Sequence, residues 1–226
     1  KNRKLPVRSF IRALRLGSDA EILDYFGDDE RMRATIEKDA ASNVEEGLIE
    51  VYKKLRPSEP PTVDSAQTHI NNLFFDPGRY DMSRVGRYKY NKKLGIANRL
   101  EGQVLAEPIA NPRTGEVMAL RDEKITKEKA FEIENAGVKI AYVKAADETI
   151  VKVISNGMVD IACYVDFDAE AECDIKENVR FDVLCEILDS CENEDDLKEM
   201  LRSRADELVP NHITVDDIFA TINYLN

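Results

Sequence analysis

The spacing of apolar residues changes twice along this chain of 226 residues. Up to about Gly95 the apolar positions recur every three or four residues, which is the period of an amphipathic helix. Between residues 103 and 165 they fall in short β-branched segments bounded by turn formers, and beyond Phe181 the helical period returns. The pattern predicts an α+β protein that is mainly helical and carries an inserted small β-rich module, like a barrel or a sandwich.

Cap residues and turn formers predict where these elements end. Ser18 with Glu21 and Ser42 with Glu45 have the spacing of a capping box, while three prolines in residues 56–61 interrupt any helix. Helices are predicted over residues 6–16, 18–26, 30–38, 42–55, 62–75, 83–94, 127–136, 181–191, 194–208 and 215–225. Strands are predicted over residues 103–107, 117–121, 138–143, 149–154 and 158–165.

The charge also changes near residue 100. The formal net charge of the chain is −12, but residues 1–100 hold 19 basic and 15 acidic residues, net +4, and the other 126 hold 13 and 29, net −16. We therefore expect one helical domain formed by residues 1–95 and 176–226, and a second, acidic module formed by residues 96–175. Deleting the module is expected to leave the helical domain folded. Only the first hundred residues have the charge to face a polyanion.

The sequence offers little that could support catalysis. The GxxxxGK[ST], GxGxxG, GxSxG and HExxH motifs are all absent. Four cysteines without CxxC spacing, far from the two histidines, predict reduced thiols in a cytoplasmic protein and no zinc site. No apolar run approaches the roughly 20 residues of a membrane span, and no signal peptide is recognisable. We predict no catalytic residue, no metal ligand and no cofactor in this chain.

A row of alternating carboxylates follows the β-rich segment, at Asp166, Asp168, Glu170 and Glu172. On a strand these side chains would point to one side and could bind a hard cation. The glycine and the ligand spacing of an EF-hand loop are missing, so we interpret the row as a solvated acidic loop.

The helix predicted over residues 83–94 has the densest basic charge. Arg84, Arg87 and Lys89 alternate there with Tyr88 and Tyr90, and such a mixture can bind phosphates and stack on bases. An alternative is that Val85, Tyr88 and Leu94 form the core stripe of the helix and the basic residues only its solvated side. Three possibilities therefore remain at this point: DNA contact, a plain interaction surface and a structural helix.

Three segments resemble the β subunit of bacterial DNA-directed RNA polymerase, in the region called the lobe. They are NRKLPV with IRAL in residues 2–14, DPGRYDMSRVGRYKYNKKL in residues 76–94, and ITVDDIFATINYL in residues 213–225. The second is similar to the family signature RYDLxxVGRxKxNxxL, with Met82 in place of the usual leucine. The β-rich middle is similar to the inserted segments of this family only in style.

The resemblance implies a fragment of a much longer subunit, inert alone but part of a nucleotidyltransferase that uses Mg²⁺. The lobe forms one wall of the DNA channel, beside downstream DNA and the non-template strand. The implied partners are the β′, α and ω subunits, the sigma factor and DNA, in the cytoplasm at the nucleoid and with no membrane. The candidate DNA-binding residues are Lys1, Arg3, Lys4, Arg84, Arg87 and Lys89.

Replacing Lys1 and Arg3 is accordingly expected to weaken open complexes, whereas replacing Arg8 or Arg15 should matter little. The alternative function is a stand-alone acidic module that binds a transcription factor through its β-rich part. Salt-dependent binding to DNA would favour the first function, and binding of a factor to the isolated β-rich part would favour the second.

Overall fold

A computed structural model of the chain describes residues 4–36 and 39–225. The chain divides into two compact units, one up to Tyr80 and the other from Asp81 onward. The described part of the first unit contains only helices, and the second combines helices with short antiparallel strands. The α+β class is therefore confirmed.

The first unit is built from five helices and one wider helical turn in its described residues. They are α1 (Val7–Leu14), α2 (Asp19–Phe26), α3 (Glu30–Ile36), α4 (Val44–Leu55), α5 (Val63–Ile70) and the π-type turn Asn71–Phe75. The predicted capping box at α2 is present, because the Ser18 side chain accepts from the Glu21 amide and the Glu21 carboxylate accepts from the Ser18 amide. At α4 the cap is Asn43, one residue later than predicted, and the amide and hydroxyl of Ser42 donate to Glu46.

Helices α1 and α4 pack closely through Gly47, where a Cβ atom would lie 2.7 Å from Cβ of Arg12. Around them Leu48, Val51 and Ile70 form an apolar core. Arg8 and Arg12 are also buried, and the expectation that replacing Arg8 matters little for open complexes stays a prediction. Arg12 bonds to Asp39 at 2.9 Å, so α1 uses its arginines to hold neighbouring segments.

The second unit begins with α6 (Arg84–Leu94) and α7 (Ala97–Leu100) and ends with α13 (Val215–Leu225). Between them the helices are α8 (Lys127–Asn135), α9 (Ala169–Cys173), α10 (Phe181–Ser190), α11 (Glu194–Ser203) and α12 (Ala205–Leu208), with a 3₁₀ turn at Ile161–Cys163. The strands are β1 (Val104–Leu105), β2 (Ile109–Ala110), β3 (Val117–Ala119), β4 (Ile140–Lys144), β5 (Ile150–Ile154), β6 (Met158–Val159) and β7 (Val179–Arg180).

The described strands form three separate antiparallel sheets, with orders β1-β4-β5, β2-β3 and β6-β7. The β4–β5 hairpin is the longest pairing and runs from Ile140 opposite Ile154 to Lys144 opposite Ile150. None of the sheets closes, so the expected barrel is not formed. Strands of two to five residues are too short to build one, and the helices supply much of the cover instead.

Two apolar cores support this unit. The first joins Ile96 and Leu100 of the α7 region to Ile133 of α8 and to residues of β1 to β5. The second joins β6 and β7 to the helices α9 to α12, with Leu184 and Leu201 fully buried. Helix α8 ends at Asn135. Two residues later Gly137 has a φ of +90° and brings the backbone against the Phe181 ring, where a Cβ atom would clash at 2.4 Å.

The expected domain boundaries at residues 95 and 175 do not coincide with the division after Tyr80, and they stay a prediction. Helix α13 packs against both α6 and strand β5, so the last helix contacts the β-rich part that was expected to be an independent module. The acidic row, which was expected to be a solvated loop, is partly helical. Asp168 caps α9 by accepting from the amides of Glu170 and Ala171, and Glu170 and Glu172 lie on that short helix.

Candidate nucleic-acid interface

Helix α6 carries three of the six candidate DNA-binding residues. It begins where predicted, because the Ser83 hydroxyl accepts a hydrogen bond from the Gly86 amide at 3.2 Å. The amide of Met82, just before it, bonds to the carbonyl oxygen of Asn211. These two bonds set the direction in which α6 leaves its preceding turn.

The buried face of α6 is not the apolar stripe that its sequence suggested. Val85 and Tyr88 are 62% and 59% exposed, whereas Arg87, Asn91 and Leu94 are buried. Only Leu94 of the alternative stripe belongs to the core. The helix therefore directs an arginine and an asparagine inward and leaves two large apolar side chains in solvent.

Arg87 is 1% exposed, and each of its three guanidinium nitrogens has a hydrogen-bond partner. Its Nη1 lies 2.8 Å from the carboxylate of Asp217, its Nε donates to the carbonyl oxygen of Pro210 at 3.0 Å, and its Nη2 donates to that of His212. Asp217 stands in the first turn of α13. Arg87 thus ties α6 to the loop before α13 and to that helix, and it is not available to a phosphate in this structure.

Asp217 also organises the groups around it. Its carboxylate accepts from the Thr214 amide and from Nδ2 of Asn156, both at 3.0 Å, while the Thr214 hydroxyl caps α13. Asn156 Nδ2 also lies 3.1 Å from Oδ1 of Asn91. Sequence reasoning missed this network. No local signal could have found it, since Arg87 and Asp217 are 130 residues apart.

Arg84 and Lys89 lie on the outer surface of α6. Arg84 bonds to Asp174 at 3.0 Å and lies 3.7 Å from Glu177. The hydrogen bond from Arg84 to Asp174, together with the nearby negative charge, raises the pKa of Arg84 above its ordinary value, so this arginine stays charged. Lys89 is exposed and makes no ion pair among the described residues.

Lys4 belongs to the first unit, whereas α6 belongs to the second. Lys1 and Arg3 lie outside the described residues. Lys4 is described and is exposed. The structure therefore removes Arg87 from the surface candidates, and DNA contact by the other five residues stays a prediction.

The described residues contain no group of three or more His, Cys, Asp or Glu side chains placed to hold a metal ion. None of the helices in the described part is both long enough and apolar enough to cross a membrane.

Residues 1–109 match the family model described as RNA polymerase Rpb2, domain 2. Proteins named DNA-directed RNA polymerase subunit beta are similar over 224 residues, or 99% of the chain. The one from Clostridium novyi is 53% identical, and those from Clostridium acetobutylicum and Clostridioides difficile are each 50% identical. The chain spans 18% of the length of these relatives. Identity at this level across both units is beyond what a shared fold class alone would produce, and the chain belongs to the family of bacterial RNA polymerase β subunits.

Proposed function

We propose that this chain is the lobe of an RNA polymerase β subunit and forms a non-catalytic wall of the DNA channel. The observation that carries the proposal is the identity of 50–53% to polymerase β subunits over almost every residue. The signature in residues 76–94 supports it, because its buried members hold the unit together and its exposed members include Arg84 and Lys89.

The polymerase as a whole supplies the chemistry. In this proposal nucleotidyl transfer and its Mg²⁺ belong to other parts of the enzyme, which works in the cytoplasm at the nucleoid. The partners are the β′, α and ω subunits, a sigma factor, the non-template strand and downstream DNA. The chain alone is expected to incorporate no nucleotides into a template-directed product.

The exposed cations would contact DNA only weakly by themselves. The chain has a net charge of −12, which repels duplex DNA at long range. In the assembled enzyme the other subunits would hold DNA beside the lobe, so a few Lys and Arg contacts would then contribute. This favours a channel wall over an independent DNA-binding domain.

The test uses polymerase assembled with the full-length β subunit. Changing Lys1 and Arg3 together to alanine should shorten the lifetime of open complexes and reduce the salt slope of DNA binding by about 1 for each phosphate that is no longer neutralised. The matched control is the pair Lys53→Ala and Lys54→Ala, two exposed lysines of α4. Arg8, the control that the sequence suggested, is unsuitable because its side chain is buried. Equal effects from both pairs would reject a positioned contact.

A further inference from the structure

An open groove of about 660 Å³ runs along the exposed side of α6 in the second unit. It is lined by side chains of α6 and α8, by Asn98 and Glu101, and by the segment 176–178 before β7. Neither the ion pair of Arg87 nor the second apolar core contributes to it. The groove therefore meets the network that holds α6 in place only at Asn91.

Three large apolar side chains line this groove in solvent. Val85 and Tyr88 lie one turn apart on α6 and are 62% and 59% exposed, and Phe131 of α8 is 40% exposed. Isolated exposed apolar residues are ordinary on protein surfaces, but a group that shares one concave surface is typical of a binding site. These side chains would supply the apolar area of an interface.

The charge of the groove is opposite to that of the unit around it. Residues 81–226 hold 19 basic and 30 acidic residues, net −11. The groove lining includes four cations, Arg84, Lys92, Lys127 and Lys176, against three acids, Glu101, Glu134 and Glu177. Two of these acids already have partners, because Glu134 accepts from the Ala97 amide and Glu177 lies beside Arg84. Two of the cations are also paired, Arg84 with Asp174 and Lys176 with Glu170. Lys92 and Lys127 make no ion pair among the described residues.

We propose that this groove binds an acidic amphipathic helix of a partner protein. Apolar side chains of that helix would cover Val85, Tyr88 and Phe131, and its carboxylates would meet Lys92 and Lys127. The surrounding negative surface would repel such a helix elsewhere and steer it to this groove. A nucleic-acid strand fits less well, because Arg84 is already bonded to Asp174 and the exposed Glu101 would repel phosphates.

The proposal is tested with the 226-residue chain and three fluorescent probes. Two are peptides of about 18 residues with leucines at helical spacing and either glutamate or lysine at the remaining positions, and the third is the oligonucleotide dT15. We expect anisotropy to show the glutamate peptide binding at least about tenfold more tightly than the lysine peptide. Lys92→Glu with Lys127→Glu should reverse this preference. The control is Lys93→Glu with Lys129→Glu, the same charge change on the same two helices outside the groove.

A second comparison tests the apolar contacts. Val85→Ser should lower the affinity for the glutamate peptide at least about tenfold. Val117→Ser, at a valine that is also 62% exposed but lies on β3, should leave its affinity unchanged. Thermal unfolding of each variant checks that the fold is retained. The proposal is overturned if neither peptide binds, if the control pairs act as strongly as the groove variants, or if dT15 competes with the peptide through the same residues.

Discussion

A single buried ion pair, between Arg87 and Asp217, joins α6 to the start of α13, and both side chains are 1% exposed. Removing one member of such a pair leaves the other charge uncompensated and costs about 3–5 kcal/mol. We expect Arg87→Ala to lower the free energy of unfolding in urea by about this amount. Arg84→Ala on the same helix is the control, because exposed ion pairs contribute only about 0–1 kcal/mol. Equal decreases in the two variants would mean that the buried pair has no special role.

The buried carboxyl group of Glu134 makes the stability of the folded chain depend on pH. Burial raises the pKa of Glu134 above its ordinary value, although its carboxylate accepts hydrogen bonds from the amides of Ile96 and Ala97. Its protonation therefore stabilises the folded state below the ordinary glutamate pKa of about 4.3, and this contribution disappears as the pH rises through the raised pKa. Glu134→Gln keeps an oxygen acceptor without the charge.

We therefore expect the stability of Glu134→Gln, relative to the unchanged chain, to rise between about pH 4 and about pH 7 in urea unfolding. Glu132→Gln on the same helix is the control, because the Glu132 side chain is 62% exposed and pairs with Lys129 at the surface. A difference between Glu134→Gln and the unchanged chain that does not vary with pH would contradict the role of burial.

Helix α13 protects the open edge of the β1-β4-β5 sheet through one side chain. Asn223 Oδ1 accepts from the Ile154 amide and Nδ2 donates to the carbonyl oxygen of Lys152, both at 2.9 Å, as a neighbouring strand would. Arg99 also donates to Asn223. The last helix and strand β5 therefore form one hydrogen-bonded structure.

Asn223→Ala should destabilise the chain by about 1–3 kcal/mol, because buried partners on β5 are left without their hydrogen bonds. Hydrogen exchange locates the effect: the Ile154 amide should exchange faster. The Ser155 amide, which donates to the Lys139 carbonyl on the other side of β5, should change less. Uniform acceleration at both amides would indicate general unfolding instead of disruption of the edge.

The ends of most elements followed from nearby residues. Ser18 and Ser83 cap helices as their sequence positions predicted, since a cap needs only a hydroxyl and an amide two or three residues on. The predicted strand over residues 158–165 failed after two residues, where Asp160 caps a 3₁₀ turn. The predicted helix over 194–208 is likewise two helices that meet at Arg204. The first of these elements was ended by a side chain that bonds locally, Asp160.

The contacts within the second unit indicate that the β-rich part cannot be deleted without unfolding the helices around it, in contrast to the expectation from the sequence. Replacing residues 95–180 with a short Gly-Ser linker removes β5 from α13 and Asn156 from Asp217, together with the first apolar core. We expect this deletion variant to show no cooperative thermal transition by circular dichroism. A fragment of residues 81–226 should unfold cooperatively, because its contacts form one compact unit. A cooperative transition in the deletion variant would instead show that residues 95–180 can be removed without unfolding the rest of the unit.

The sequence by itself determined that helices form both ends of the chain and that short strands lie between them, because periodicity, caps and turns depend on residues a few positions apart. The signature in residues 76–94 is likewise a run of neighbouring residues and was visible in the sequence. Only the tertiary structure decided which side of α6 faces inward. An arginine is normally at the surface, and Arg87 is buried because acceptors 123 to 130 residues further along the chain surround its guanidinium group. The same packing exposed Val85 and Tyr88, which a hydropathy pattern assigns to a core. The energy of a buried charge depends on the groups around it in space, and distance along the chain does not specify them.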